Sequence, residues 1–357
     1  MIVLGSTGSI GVNTLEIAKK FDLNVDVLVA GNNISLLNRQ IEIHRPSVVV
    51  IGENSDLSLV DHPHVLQGEE AILEVIEASK SELVVNALVG FLGLRPTLKA
   101  IETGKRVALA NKESLVAGGA FIDTSMIQPI DSEHFGLWYL DNTDRPIERM
   151  LITASGGAFG DWPIEKIKNA TLRDALNHPN WAMGQKITID SASMMNKMFE
   201  LLEARWLFGE GEYDAVIETK SLIHALIDYQ DGSTTAHFAK ANMQLPIAYA
   251  VMGRADAEIL KPVNLLEVGS LEFREITTER YPIWQIRKAL LANPKRGVVV
   301  NAANEAAIEL FVEGKISFLD ISKRVIHAFE HFTREPENIE EVFLIDAEVR
   351  SYIKAMG

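Results

Sequence analysis

The sequence predicts an α/β protein with a doubly wound parallel sheet at its N-terminus, an α+β middle part and a helical C-terminal part. Over the first 110 residues, short continuous runs of Val, Ile and Leu alternate with longer amphipathic segments. Such runs are typical of strands covered on both faces, and a β–α–β order implies a parallel sheet. After Lys112 this order ends, and from Ile283 onward the apolar positions follow a helical period. We therefore expect the first part to be a Rossmann-type nucleotide-binding domain.

Five strands are predicted in the N-terminal part, with helices between them. The strands cover residues 2–4, 25–30, 48–51, 83–87 and 106–110. The helices include residues 12–21, 34–44, 69–79 and 94–103.

The middle part mixes predicted strands with one long helix over about 191–208. The strands cover 150–153, 186–190 and 234–239. Along the helix an apolar stripe lies beside a polar one. The apolar stripe is Met195, Phe199, Leu202 and Trp206, and the polar stripe is Asn196, Glu200 and Glu203. The clearest C-terminal helices cover 301–315 and 318–332.

The composition excludes several classes of function. With 34 Lys and Arg against 49 Asp and Glu, the 357-residue chain has a formal charge of −15, which argues against a nucleic-acid partner. No apolar run approaches the roughly 18–20 residues of a membrane span. Cysteine is absent, which excludes disulfides, thiolate metal ligands and a Cys nucleophile. Because residues 2–4 already form a strand, we expect no cationic leader and a cytoplasmic location.

A glycine-rich segment follows the first predicted strand and opens the first helix. It reads Gly5-Ser6-Thr7-Gly8-Ser9-Ile10-Gly11. Glycines three apart allow a tight turn and a close backbone approach to a pyrophosphate, and the helix N-terminus supplies free N–H groups. A plain tight turn is the alternative, but the order of strand, turn and helix favours a dinucleotide site.

The end of the second predicted strand bears on the choice of cofactor. NAD-binding domains usually place an acidic side chain there for the ribose hydroxyls, whereas this chain has Gly31-Asn32-Asn33. No carboxylate would repel a 2′-phosphate, so NADPH is favoured. No Lys or Arg stands at that position to bind the phosphate either, so the strength of the preference stays open.

Two carboxylates stand close together in Asp131-Ser132-Glu133-His134. In an extended segment, positions i and i+2 point to the same side, so Asp131 and Glu133 would converge. Converging carboxylates need a cation, and oxygen ligands suit Mg²⁺ or Mn²⁺ better than zinc. Glu200 or Glu203 could complete the set. With 49 acids in the chain, such a pair also arises by chance, so the pattern alone leaves metal binding open.

Three candidate anion-binding segments lie further along the chain. Ser155-Gly156-Gly157 follows a strand and could form a backbone nest. Ser191 and Ser193 stand at the predicted start of the long helix, with Asn196 and Lys197 one turn later. Each alone could equally be a helix cap or a solvated side chain. Together they would form a phosphate pocket, which an anionic substrate needs in a chain of charge −15.

The segment His178-Pro179-Asn180-Trp181-Ala182-Met183-Gly184 is predicted to be a loop. A loop that carries large apolar side chains either packs against the protein or closes as a lid, and the sequence alone leaves both open. The spacing around His224 favours an ordinary core histidine.

Taken in order, these motifs resemble the 1-deoxy-D-xylulose 5-phosphate reductoisomerase family nearly end to end. The motifs that carry the resemblance are the glycine-rich segment 5–11, Ala-Asn-Lys-Glu-Ser-Leu-Val at 110–116, Asp-Ser-Glu-His at 131–134, Ser-Gly-Gly at 155–157, the loop 178–184, and Asp-Ser-Ala-Ser-Met-Met-Asn-Lys at 190–197 leading to Glu200. The resemblance favours the metal and phosphate interpretations over caps and chance.

The resemblance implies an enzyme that rearranges 1-deoxy-D-xylulose 5-phosphate and reduces the product to 2-C-methyl-D-erythritol 4-phosphate, a step of the non-mevalonate isoprenoid pathway. It implies NADPH and Mg²⁺ or Mn²⁺ as cofactors, a small phosphorylated sugar-like substrate and a homodimer. The alternatives are a simple NADPH-dependent aldehyde reductase of the same architecture and a non-catalytic nucleotide-sensing protein.

By position, the resemblance also implies roles for individual residues. The metal ligands would be Asp131, Glu133 and Glu200, and the catalytic residues Lys112, Glu133 and Glu203. The substrate would contact Lys112, Ser132, Glu133, Ser155, His178, Trp181, Ser191, Asn196, Lys197, Glu200 and His224. Beyond the glycine-rich segment, the cofactor would contact Gly31, Asn32, Asn33, Asn111, Glu113, Met183 and Gly184.

We expect a nucleotide-binding domain over 1–130 and a catalytic domain over 131–252 with a lid loop near 175–185. A connector over 253–278 and a helical domain over 279–357 would follow. The sequence departs from the family pattern after His134, where it reads Phe135-Gly136-Leu137-Trp138 and the stretch to Ser155 is short. We expect a trimmed connector there.

Overall fold

The computed structural model of this chain describes residues 1–141 and 145–356. The chain divides into two compact units. The first unit consists of Met1–Ser114, Ile122–Asp131 and Asn242–Lys261, and the second of Leu115–Phe121, Ser132–Ala241 and Pro262–Gly357.

The first unit is built on a parallel sheet of seven strands. They are β1 (Ile2–Leu4), β2 (Val27–Val29), β3 (Val48–Ile51), β4 (Val65–Gln67), β5 (Leu83–Asn86), β6 (Arg106–Leu109) and β7 (Ile127–Pro129). The order is β4-β3-β2-β1-β5-β6-β7, and every neighbouring pair runs parallel. Because β1 lies between β2 and β5, the strand order reverses there, and ligands of such sheets bind at the carboxyl ends of strands at this point.

Helices occur along the whole length of the chain. In chain order they are α1 (Ser9–Lys20), α2 (Ile34–His44), α3 (Glu69–Ala78), α4 (Leu94–Glu102), α5 (Lys112–Gly118), α6 (Ser132–Leu140), α7 (Ile164–Ile167), α8 (Leu172–Ala175), α9 (Gln185–Ser193), α10 (Met195–Phe208), α11 (Gln244–Met252), α12 (Leu265–Val268), α13 (Arg287–Ala292), α14 (Gly297–Val312), α15 (Phe318–His331) and α16 (Ile339–Ala355). None of those in the described part of the chain is both long and apolar enough to cross a membrane.

Apolar strand residues form the core of the first unit, as the continuous Val, Ile and Leu runs predict. Val3 and Leu28 pack with α1 and α2 on one side of the sheet, and Val85 packs with Ile17 and Ile247 in a second cluster. The second cluster draws on α11, which the sequence prediction included in residues 131–252. The predicted Rossmann-type sheet is confirmed, with two further strands, β4 and β7.

The second unit contains a five-stranded sheet. Its strands are β8 (Ile147–Ala154), β9 (Tyr213–Glu218), β10 (Ile223–Tyr229), β11 (Thr234–Phe238) and β12 (Phe273–Arg274), in the order β11-β10-β8-β9-β12. Its pairs are antiparallel except β8 with β9. Helices α6 and α10 pack on this sheet, and α14 packs against both α15 and α16. The predicted α+β part and C-terminal helices are confirmed.

The prediction was wrong around residue 190. The segment 186–190 is part of α9 rather than a strand, and the predicted single helix is interrupted at Met194, whose φ is +70°. Ser191 and Ser193 therefore end α9 and do not begin a long helix. Alternating Ile and Thr favour a strand locally, but the buried residues of α9 recur at helical spacing, because packing overrides propensity. These residues are Thr188, Ile189, Asp190, Ala192 and Ser193.

The extended geometry assumed for Asp131 and Glu133 was also wrong. Helix α6 begins at Ser132, so Glu133 projects from its first turn. The departure at 135–138 lies inside α6, where a Cβ on Gly136 would come within 2.8 Å of the Ala225 Cβ. Glycine therefore allows α6 to approach β10 closely. Residues 142–144 of the short stretch that follows lie outside the described residues.

Candidate active site

The glycine-rich segment joins β1 to α1 at the point where the strand order reverses. Gly5 has a φ of +79°, and the N–H groups of Gly5 and Ser6 donate to the Val29 carbonyl at 2.9 and 2.8 Å. A Cβ on Gly11 would lie 2.3 Å from the Gly5 oxygen, so the turn requires glycine. Helix α1 begins at Ser9, and its first N–H groups follow the carboxyl end of a central strand. This geometry suits a pyrophosphate.

The uncharged segment after β2 is exposed. Gly31, Asn32 and Asn33 are all exposed. Asn33 caps α2 by accepting from the Leu36 N–H at 3.2 Å, and Asn32 Oδ1 accepts from the Ser55 hydroxyl at 2.9 Å. Both amides are held in place without introducing a negative charge that would repel a 2′-phosphate.

Asn111 and Glu113 are buried beside the loop that follows β5. Asn111 Nδ2 donates to the Leu88 and Gly90 carbonyls at 2.9 and 2.8 Å, and to Glu113 Oε2 at 3.0 Å. A Cβ on Gly93 would lie 2.3 Å from Asn111 Cγ. Asn111 thus fixes this loop and Glu113 holds Asn111, and the contact of both side chains with a cofactor stays a prediction.

Lys112 and Asp131 form a largely buried ion pair. Lys112 Nζ lies 2.8 Å from Asp131 Oδ2. Lys112 begins α5 just after β6, and Asp131 follows β7, so both stand beyond the carboxyl ends of neighbouring strands. Lys112 is therefore the counter-ion of Asp131, the aspartate of the Asp-Ser-Glu-His motif.

In the second unit, α6 and α10 bring two glutamates to one lysine. Lys197 Nζ lies 2.5 Å from Glu133 Oε1 and also contacts Glu200 Oε2. The outer oxygens are bonded as well, since Ser132 Oγ donates to Glu133 Oε2 at 2.6 Å and Asn196 donates to Glu200 Oε1. The Glu200 side chain is only 1% exposed. Two carboxylates therefore converge on one cationic nitrogen in a buried setting.

His134 and Glu203 lie next to this cluster and are buried. His134 Nε2 lies 2.8 Å from the Glu200 carbonyl oxygen, which only accepts, so this nitrogen carries the proton and donates. His134 Nδ1 lies 3.8 Å from Glu203 Oε2. The sequence prediction assigned no role to His134, although it belongs to the Asp-Ser-Glu-His motif. The structure shows that it supports the turn of α10 that carries Glu200.

The donor set fits a divalent cation. Carboxylate oxygens are the ligands that Mg²⁺ and Mn²⁺ prefer, and oxygens of Glu133 and Glu200 already approach a single positive atom. Asp131 stands two positions before Glu133 in the chain, which keeps their Cα atoms within about 7 Å. The carboxylates are also oriented by hydrogen bonds on their other oxygens, which is typical of metal ligands.

Ser155 is oriented by a neutral histidine. His178 Nδ1 accepts from the N–H groups of Asn180 and Trp181 at 3.1 and 3.0 Å, so Nε2 carries the proton and donates to Ser155 Oγ at 2.9 Å. The Gly157 N–H also donates to Ser155 Oγ, at 3.0 Å. Because this oxygen accepts two bonds, its own proton is left to donate, as a phosphate-binding serine must.

The Ser155–Gly157 segment packs directly on the end of α9. Gly156 and Gly157 have φ values of +91° and +64°. A Cβ on Gly157 would lie 2.5 Å from the Ser191 carbonyl oxygen, so this approach requires glycine. The structure therefore packs the segment of Ser155 against the backbone of Ser191, and both are predicted phosphate residues.

The loop with Trp181 is attached to the second sheet through two side chains. Asn180 Nδ2 donates to the Thr219 carbonyl at 2.9 Å and to Ser221 Oγ at 2.8 Å. The Trp181 ring lies edge-on to the buried His224 ring, with centroids 6.2 Å apart. Sequence reasoning gave no role to Asn180 or Ser221. The only sequence signal for Asn180 is its place in the loop motif 178–184, and Ser221 has none.

Three further predicted residues are His224, Met183 and Gly184. His224 is buried and its Nε2 donates to the Ala239 carbonyl at 3.2 Å, as expected for a core histidine. Gly184 is the N-cap of α9, and Met183 is half-buried just before it. A contact of Met183 or Gly184 with a nicotinamide stays a prediction.

Comparison with known proteins gives one family along the chain. Family models described as 1-deoxy-D-xylulose 5-phosphate reductoisomerase, its C-terminal domain, and DXP reductoisomerase C-terminal domain match residues 1–119, 127–208 and 238–352. Two relatives named 1-deoxy-D-xylulose 5-phosphate reductoisomerase are 58% and 53% identical over 363 and 355 residues, with 99% of each chain covered. They come from Nautilia profundicola and Wolinella succinogenes.

Solved structures of the same kind match the whole fold. A DOX-P reductoisomerase in complex with NADPH, fosmidomycin and magnesium superposes with a TM-score of 0.92 at 32% identity, covering 99% of this chain and 97% of that one. The Zymomonas mobilis reductoisomerase in complex with NADPH gives 0.87 at 32% identity, covering 99% and 98%. On sequence and fold together, this chain belongs to the 1-deoxy-D-xylulose 5-phosphate reductoisomerase family.

Proposed function

We propose that this chain catalyses the NADPH- and divalent-metal-dependent isomerisation and reduction of 1-deoxy-D-xylulose 5-phosphate to 2-C-methyl-D-erythritol 4-phosphate, in isoprenoid precursor synthesis. The observation that carries the proposal is the buried cluster in which Lys197 contacts both Glu133 and Glu200. A simple dinucleotide-dependent reductase has no need of such a cluster.

The phosphate end of the substrate is bound by polar groups at the start of α10, the end of α9 and the Ser155 turn. Ser155 donates its free proton, and His178 keeps the Ser155 oxygen in place. Ser191 and Asn196 add further polar contacts, and Lys197 supplies the positive charge. Phosphate contacts are remote from the bonds that change, so their binding energy is available to the transition state.

Asp131, Glu133 and Glu200 hold the divalent ion, which is Mg²⁺ or Mn²⁺. When bound, the ion polarises the substrate carbonyl and stabilises the negative charge that develops on its oxygens. Ser132 fixes the orientation of Glu133, and His134 fixes the helix turn of Glu200.

Lys112 and Glu203 border the reacting carbons in this proposal. The Lys112 ammonium is held by Asp131, so it is a preorganised donor to a substrate oxygen, which requires no reorganisation during the reaction. Glu203 lies one helical turn after Glu200 and is buried. In this proposal its carboxyl group takes part in proton transfer beside Glu200.

The segment Gly5–Gly11 binds the pyrophosphate of NADPH at the N-terminus of α1. Asn32 and Asn33 lie against the adenosine ribose and its 2′-phosphate. Met183 and Gly184 approach the nicotinamide. Trp181 covers the substrate and excludes water, so that the reactive aldehyde is reduced before it escapes.

The test is NADPH oxidation with 1-deoxy-D-xylulose 5-phosphate and Mg²⁺ or Mn²⁺, repeated after chelation and again after the ion is restored. We expect oxidation that disappears on chelation and returns with the ion. Oxidation that survives thorough chelation, or that occurs only with a ready-made aldehyde, would instead identify a simple reductase. If NADPH binds but no turnover occurs under all of these conditions, the chain is a nucleotide-sensing protein.

We also propose a cytoplasmic homodimer, supported by membership of the family. Light scattering should then give twice the 39.5 kDa mass of the chain. A mass of one chain across the working concentration range would refute the dimer.

A further inference from the structure

Three polar side chains are bonded in a row at the end of α9, namely the partly buried Lys186 and the buried Asp190 and Asn304. Asn304 Nδ2 donates to Asp190 Oδ1 at 2.7 Å, and Lys186 Nζ lies 2.8 Å from Asp190 Oδ2. Asn304 lies on α14 and is 0% exposed, and Asp190 is 1% exposed. Each oxygen of the Asp190 carboxylate therefore has a partner on a different side, which fixes the orientation of the side chain.

This arrangement is more specific than stability alone requires. A buried carboxylate needs both charge compensation and hydrogen bonds, and apolar residues of similar volume are often at least as stabilising. Lys186 compensates the charge, and its ammonium also lies 5.2 Å from the centre of the Phe199 ring. The Asn304 amide is neutral, so its hydrogen bond adds no charge but fixes the direction of the carboxylate. The bond also joins α9 to a helix 114 positions later in the chain.

The fixed carboxylate belongs to the turn that carries the phosphate-site residues. Asp190 directly precedes Ser191, and the Ser193 hydroxyl donates to the Asp190 carbonyl at 3.2 Å. The left-handed Met194 then ends α9, and α10 follows with Asn196 and Lys197. A change in the position of Asp190 therefore moves Ser191 directly, and it moves the start of α10 through the short connection at Met194.

We propose that Asn304, acting through Asp190, is a positioning residue for the phosphate end of the substrate. Asn304 holds the last turn of α9 so that Ser191 lies against the Ser155–Gly157 segment. The inference rests on the proposed function, in which Ser155 and Ser191 bind the substrate phosphate.

The same helix offers a matched control at Asn301, one turn before Asn304. Asn301 is also 0% exposed, and its amide has no hydrogen-bond partner among residues 1–141 and 145–356. Asn304→Ala and Asn301→Ala remove the same atoms from equally buried positions of α14, but only the first removes a bond to Asp190.

The experiment compares steady-state kinetics of the full-length variants with Mg²⁺, NADPH and 1-deoxy-D-xylulose 5-phosphate. Asn304→Ala should raise KM for the sugar phosphate about tenfold, the size expected for a lost hydrogen bond to a charged group. The inhibition constant of inorganic phosphate should rise in parallel, while kcat changes less than about threefold and the Kd of NADPH is unchanged. Asn301→Ala should leave all four quantities at the wild-type level.

Asn304→Leu gives a second route if Asn304→Ala does not fold, because it keeps the volume of the side chain and still removes the donor to Asp190. It should raise KM to a similar extent, since both variants remove the same hydrogen bond. A loss of thermal stability with unchanged KM and phosphate inhibition in both Asn304 variants would overturn the positioning role, as would an equal rise in KM in Asn301→Ala. A wild-type chain that leaves the sugar phosphate unreacted would overturn the proposed function itself, and the positioning role with it.

Discussion

Lys197 Nζ lies 2.5 Å from Glu133 Oε1, although 64 positions separate the two residues in the chain. The same nitrogen contacts Glu200, so one cation is shared by two carboxylates on different helices. In a buried setting such groups act as one electrostatic unit, because the attraction between them is weakly screened and each compensates the others.

Glu200→Gln should reduce kcat about a hundredfold or more while the Kd of NADPH stays nearly unchanged. Gln keeps the shape of Glu200 but removes the charge that a divalent ion requires, and even indirect support of metal ligands is worth about 10–100-fold. The measurements are turnover and equilibrium NADPH binding. Glu210→Gln is the control, since the Glu210 side chain is 93% exposed. Turnover at the wild-type rate in Glu200→Gln would remove Glu200 from the ligand set.

Trp181→Ala should raise KM for the sugar phosphate severalfold and reduce kcat to a smaller extent. The indole ring lies edge-on to the His224 ring, and in the proposed function it covers the substrate, so its loss would open the site to water. Trp181→Phe keeps an aromatic ring there and should recover most of the lost activity. Steady-state kinetics of the two variants would decide the point. If neither constant changes in Trp181→Ala, the loop is simply packed against the protein.

Stability should fall with decreasing pH because of His178. Burial, together with the positive charge of Lys197, lowers the pKa of His178 from 6.5 to about 4. Between these two values the unfolded chain binds a proton that the folded chain does not, so the free energy of unfolding decreases as the pH falls through this window.

Denaturant unfolding of wild type and His178→Asn at several pH values between about 4 and 6.5 measures this contribution. The variant should lose less stability than the wild type over the window. Burial also lowers the pKa of His44 and His237, but both remain in the two proteins and cancel in the difference. Identical slopes for wild type and variant would contradict the prediction.

Arg350→Met should lower the free energy of unfolding by about 3–5 kcal/mol, the usual cost of breaking a buried ion pair. Arg350 binds Asp346 through two nitrogens at 2.6 and 2.9 Å and Glu305 at 2.5 Å, which ties α16 to α14. The acids left behind have side chains only 8% and 11% exposed. Lys354→Met on the same helix removes a half-exposed pair with Glu309 and should cost less than about 1 kcal/mol. Urea unfolding checks both, and equal losses would contradict the assignment.

Sequence reasoning reached most of the first sheet because its strands are buried on both faces. The predicted bounds 2–4, 48–51 and 34–44 coincide with β1, β3 and α2. Strands β4 and β7 were missed because each has three residues and lies at an edge of the sheet. β4 is partly exposed throughout, so neither a continuous apolar run nor a strict alternation marks it.

In the candidate site, the motifs identified residues but not their geometry. Ile187 and Ile189 favoured a strand where tertiary packing imposes α9, and the left-handed Met194 gives no sequence signal because it is not a glycine. The bond between Asn304 and Asp190 spans 114 positions, so no local pattern contains it. The family motifs name the residues near the reaction, whereas the contacts that hold them depend on the folded chain.

Lys112 and Lys197 have a consequence for how the protein acquires its metal. Each is an internal counter-ion for carboxylates that are proposed to bind the ion, so two of the three negative charges are offset before any metal arrives. Small zinc domains stay unfolded without their metal, because the site does not exist before the ion binds. In this chain the lysines hold the carboxylates together without an ion, so we expect the chain to fold first and to bind its metal afterwards.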